Sequence, residues 1–143
     1  MLLDLIQETK FLPIDIINFI INKGGERFET ISNFYESFRV HINKIFNLNQ
    51  IMVFHDNNEL KGICTWCLIY KEDENEINKI RWKFPEDIEN GNILYVSSCI
   101  LLNGCNSFKI KSLFEDMGYR NKVKEVLWFT KDRCIRLEVA DGN

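Results

Sequence analysis

Cys64-Thr65-Trp66-Cys67 places two thiols three residues apart around a tryptophan, the spacing that serves dithiol redox chemistry at a helix N-terminus and zinc knuckles. Its neighbours are strand formers, and on a strand positions three apart point to opposite faces. Buried structural thiols are therefore expected here, and a zinc site completed by Cys99 and Cys105 would need bulged strands. The two imidazoles of the chain are His41 and His55. They are the side chains whose ordinary titration suits proton transfer near neutral pH. His55 ends an apolar run and His41 falls mid-helix, and the plain alternative for each is a surface or capping histidine. Arg81-Trp82-Lys83-Phe84 alternates cations with rings as a single-strand nucleic-acid platform does; with no basic groove beside it, edge-strand packing is the better account. Between Gly104 and Arg136 eight basic residues face four acidic ones, a bias suited to phosphate groups or simply to a solvated helix face.

The elements that must position these groups follow from periodicity. Ile16, Ile17, Ile20 and Ile21 recur at helical spacing between Pro13 and Lys23, and Gly24-Gly25 supplies a stop. A second helix is predicted from Asn33, with Glu36 at capping-box spacing and a stripe of Phe34, Tyr35, Phe38, Ile42, Ile45 and Phe46, ending by Asn47 or Asn49. Gln50 to His55 and Leu60 to Tyr70 flank the turn residues Asp56-Asn57-Asn58-Glu59, a hairpin signal. Lys71 to Asn78 reads as a solvated loop, and Ile80 to Phe84 as a loop or a strand ended by Pro85. Ile93 to Leu102 is almost wholly apolar or small, which marks a central strand buried on both faces. Asn103-Gly104-Cys105-Asn106 breaks it, and Ser107 caps a helix whose stripe of Phe108, Ile110, Leu113, Phe114 and Met117 is closed by Gly118. Lys124 to Thr130 and Arg133 to Val139 are the last strands, joined by Lys131-Asp132. A strand running straight into a helix leaves first-turn amides facing an anion.

Composition bounds the rest. With 143 residues, 45% hydrophobic, 13% aromatic and 2 prolines, residues 1–143 are expected to form a single domain. A chain of that length buries roughly 68% of its unfolded surface without staples. The net charge of −3 argues against capture of nucleic acid by the whole molecule. No stretch reads as a secretory leader or a membrane span, and Cys64, Cys67, Cys99 and Cys134 lie in apolar runs, so a cytoplasmic protein with free thiols is expected.

The order of two helices, strands, a strand-to-helix corner at 102–107 and further strands resembles the GNAT acyltransferase fold. In that likeness Gln50 to His55, Leu60 to Tyr70 and Asn92 to Leu102 are the second to fourth strands, Ser107 to Met117 is the cofactor-side helix and Lys124 to Thr130 the fifth strand. The resemblance implies an α+β, mainly antiparallel twisted sheet and a function in transferring an acyl group from acetyl-CoA or another acyl-CoA to an amine, on a small molecule or a protein lysine. It implies a pantetheine and thioester region at Cys99, Ile100 and Leu101, and a pyrophosphate corner at Gly104, Cys105, Asn106, Ser107 and Lys109. The chain departs from the family in offering Asn103-Gly104-Cys105-Asn106-Ser107-Phe108 where Arg/Gln-x-x-Gly-x-Gly/Ala is usual, and in leaving no helix between the last two strands. The short C-terminus is similar to toxin-activating lysine acyltransferases and small phage-encoded GNAT-like proteins. Ser97 or Ser98 stands near the place where the former hold an aspartate, which makes Ser98, with His55, the catalytic candidates. The same outline suits a catalytically silent GNAT-like protein that binds a host or virion protein.

Overall fold

The computed structural model describes residues 1–23, 35–79, 84–102, 110–129 and 133–139. The strands are β1 (Leu2–Leu5), β2 (Ile51–Asp56), β3 (Glu59–Ile69), β4 (Ile93–Leu101), β5 (Glu125–Phe129) and β6 (Cys134–Glu138), and the helices are α1 (Pro13–Lys23), α2 (Tyr35–Asn47), α3 (Glu74–Lys79) and α4 (Ile110–Arg120). The six strands form one sheet in chain order, antiparallel throughout except between β4 and β5. This is the α+β class expected from the sequence, a mainly antiparallel sheet with two helices between β1 and β2 and one after the central strand.

Local chemistry sets the boundaries. Pro13 opens α1, and Asp15 accepts the Leu12 amide at 2.7 Å, so one of the unsatisfied first-turn donors is capped. At the end of α2, Asn49 takes the left-handed conformation (φ 57°), while Gln50 N–H bonds to Ile45 C=O and Asn49 N–H to Phe46 C=O. That is a Schellman motif, with asparagine in the position glycine usually holds. Asn57 and Asn58 both have positive φ, which gives the two-residue turn that the β2–β3 hairpin's twist requires.

The sheet separates two apolar layers. On one face α1 and α2 bury Ile16, Ile20, Phe38, Ile42 and Ile45 against Val53, Ile63, Cys67 and Ile69. On the other, Phe114 and Met117 of α4 pack against Met52, Cys64, Trp66, Leu94, Val96 and Val126. Cys64 and Cys67 thus lie in different layers, as strand alternation requires.

Three elements differ from the sequence expectation. β1 pairs with β2 from Leu2↔His55 to Leu5↔Met52, although nothing in its four residues distinguishes a strand. Part of the acidic stretch expected as a loop winds into a 3-10 turn at Lys71–Asp73 and then α3, tied down where Glu74 meets Arg136 of β6 at 2.6 Å. Gly118 does not close α4, which runs on to Arg120 and ends at Lys122 (φ 59°). Gly118 is buried within the helix because a Cβ there would lie 2.5 Å from Val139 and 2.8 Å from Val126; the glycine lets α4 sit directly on the sheet. The predicted second-helix start at Asn33 and the run Ile80 to Lys83 lie outside the described residues.

Candidate functional site

β4 is the strand on which the sheet changes character. Its first four residues pair with β5 in parallel, from Ile93↔Glu125 to Val96↔Trp128, and the described ladder stops there. β4 itself continues to Leu101, held on its other side by β3. At the same level it bulges: Thr65 pairs with Ser98 and Trp66 with Val96, which leaves Ser97 as the extra residue.

The direction of the backbone groups beyond the bulge follows from two hydrogen bonds. Leu102 N–H bonds to Lys61 C=O at 2.8 Å, and Trp66 N–H bonds across to the C=O of Gln50, just ahead of β2, at 3.1 Å. Antiparallel pairs alternate between hydrogen-bonded and non-hydrogen-bonded. Ile100 therefore turns its amide and carbonyl to β3, whereas Cys99 and Leu101 direct theirs the other way, toward the side from which β5 departs.

The bulge also aims Ser97 at the helical layer. Its Oγ lies 2.7 Å from Thr65 Oγ1 and 3.4 Å from His41 Nε2 on α2. Phe84 stacks on the imidazole with ring centroids 3.5 Å apart and planes 9° from parallel. His41 is buried, a correction to the surface or capping histidine expected there, and burial, with Lys44 nearby adding a smaller push, lowers its pKa to about 3. It is therefore neutral at physiological pH and exchanges hydrogen bonds rather than protons. Above it opens a pocket of about 210 Å3 lined by Ser37, Val40, His41, Lys44, Phe84, Pro85, Glu86 and Ile88.

Ser98 is buried, and its Oγ has no hydrogen-bond partner among the described residues. His55 is elsewhere: its Nε2 meets Asp4 Oδ2 at 2.8 Å, and its ring stands edge-on to Phe11. His55 pairs with Leu60 and Ser98 with Thr65, five residues further along β3, an offset of about 17 Å along the strand at the usual rise, with β3 lying between them. The structure does not bring the two candidates together; the imidazole that reaches β4 is His41. The signal for it was present, since His41 sits on the buried stripe of Phe38, Ile42 and Ile45, where a polar side chain needs a partner. Cys99, Ile100 and Leu101 are half-buried along β4. Gly104, Cys105, Asn106, Ser107 and Lys109 lie outside the described residues.

Among the described residues no cluster of His, Cys, Asp or Glu is arranged to hold a metal ion, and no helix is long and apolar enough to cross a membrane. No protein-family model matches the chain, and no curated protein does. Among solved structures, a Staphylococcus aureus Mu50 protein described as a "putative acetyltransferase" is similar at a TM-score of 0.42 and 11% identity, over 73% of this chain and 74% of that one.

Proposed function

We propose that this chain binds an acyl-CoA along the outer side of β4 and passes its acyl group to an amine. The observation that carries the proposal is the early end of the β4–β5 ladder at Val96, with Cys99 and Leu101 turning backbone groups toward the departing strand. An extended amide-bearing arm such as pantetheine is the kind of ligand that adds to such an edge as a strand would. Half-buried Ile100 and Leu101 supply the apolar wall. Gly104 to Lys109 is the stretch that would receive the pyrophosphate.

Bound there, the thioester supplies an activated acyl group. The chain's part is to hold its carbonyl against a fixed backbone donor near the bulge and to keep water out with the two apolar layers. Ser98 adjoins the bulge residue on β4, and His55, paired with Asp4, takes no part in this scheme. The acceptor amine enters through the pocket beside His41, whose lining carries one carboxylate, Glu86, and one ammonium, Lys44. Because His41 stays neutral and weakly basic, the amine must lose its proton to water before it attacks.

Thermal unfolding with acetyl-CoA and longer acyl-CoAs tests the proposal. A ligand that binds only the native state raises the melting temperature by mass action. A rise that grows with ligand concentration and is not produced by the amine alone supports it. The absence of a shift at millimolar acyl-CoA overturns it and favours a binding-only role.

A further inference from the structure

We propose that Cys64 and Cys99 form a cross-strand dithiol that a low-molecular-weight disulfide, such as oxidised glutathione, converts into an intramolecular disulfide. The two residues are register partners on β3 and β4. The alternation already fixed by Leu102→Lys61 and Trp66→Gln50 makes theirs a non-hydrogen-bonded pair, the closer of the two kinds. Such a pair has Cα atoms about 4.5 Å apart, inside the range a disulfide spans without moving the backbone. Both side chains enter the α4 layer, and the Cys64 thiol is in hydrogen-bonding contact with Cys99.

The other thiols are placed differently. Cys67 lies in the opposite layer, and Cys134 is exposed on β6, opposite Phe129 of β5. Exposure also orders the steps. Cys64 is buried, and its hydrogen bond to Cys99, then its burial, hold its thiol protonated; Cys99 is only partly buried and meets the oxidant first. The Cys99 thiolate attacks one sulfur of oxidised glutathione, forming a mixed disulfide and releasing one glutathione. Cys64 then gives up its proton and attacks the Cys99 sulfur; the protein S–S bond forms, the mixed disulfide breaks and a second glutathione leaves. Two electrons pass from the two protein thiols to the glutathione disulfide, and the two protons end on the two glutathione thiols.

The test is peptide mapping of the native full-length protein after exposure to oxidised glutathione, with free thiols alkylated before digestion. The expected product is lighter by two hydrogens and yields linked peptides carrying Cys64 and Cys99, with Cys67 alkylated only after denaturation. The Cys105→Ser/Cys134→Ser double variant gives the same link, and the oxidised protein melts at a higher temperature that dithiothreitol restores to the starting value. A glutathione adduct that persists on Cys99 in the unmodified chain while Cys64 stays reduced overturns the proposal, as does a dominant link through Cys105 or Cys134. No acyl-CoA enters the experiment, so its outcome is independent of the cofactor proposal.

Discussion

His41 Nε2 on α2 lies 3.4 Å from Ser97 Oγ on the β4 bulge, which ties the helical layer to the one point where the β3–β4 ladder is irregular. The contact joins residues 56 positions apart, so the helix stripe shows that His41 needs a partner but not which residue it is.

Stability should fall with acidity because of this histidine. Its pKa is about 3 in the folded chain and near the ordinary 6.5 when unfolded, so the unfolded state binds the extra proton first. The contribution is complete above about pH 6.5 and is lost as pH falls toward 3, with a slope near 1.4 kcal/mol per pH unit within that window. Urea unfolding of the wild type and His41→Gln between pH 8 and pH 4 checks this: the variant's stability should depend less on pH by about that slope, and parallel curves would refute it.

Ser98→Ala should leave the fold as stable as before or raise stability by about 1 kcal/mol, because it deletes a buried hydroxyl that has no partner among the described residues. In the acyl-transfer scheme the same variant loses activity. Denaturant unfolding and a transfer assay on one preparation separate the two effects, and a loss of more than about 1 kcal/mol would show the hydroxyl to be satisfied.

Gly91→Ala should be among the most damaging small substitutions. A Cβ at Gly91 would lie 2.2 Å from backbone atoms of Ile69, which cannot swing aside as a side chain can. The expected cost is about 3 kcal/mol, at the upper end of ordinary overpacking, read from the urea midpoint. An unchanged midpoint would disprove the close approach of this segment to the end of β3.

Leu101→Pro should separate ligand binding from folding. The Leu101 amide points away from β3, so proline removes no β3–β4 hydrogen bond, and its fixed φ is tolerated at a strand edge. The far-UV spectrum should be retained while the acyl-CoA thermal shift falls by half or more. A variant that binds acyl-CoA undiminished would remove the Leu101 amide from the proposed site.

Much of this was legible from residue patterns. The turn at Asn57-Asn58, the opposed faces of Cys64 and Cys67 and the two-sided burial of β4 each follow from alternation, turn chemistry or apolar runs within a few residues. β1 was not, because Leu2–Leu5 is a strand only by virtue of β2, about fifty positions away. α3 carries no apolar stripe to mark it in the sequence; what fixes it is Ile77 buried in the helical layer and Glu74 reaching Arg136. His55 is the imidazole at a strand end, whereas the one facing β4 lies on a helix stripe. Side-chain type was visible, but the register that decides which groups meet was not.

The single parallel step in the sheet bears on the order of assembly. β1 to β4 are joined edge to edge by antiparallel ladders, and β5 with β6 makes a separate hairpin that reaches them only after α4 has carried the chain back across. Four registered pairs hold that junction among the described residues. Because β5 and β6 pair locally, the hairpin can form on its own before it docks onto β4.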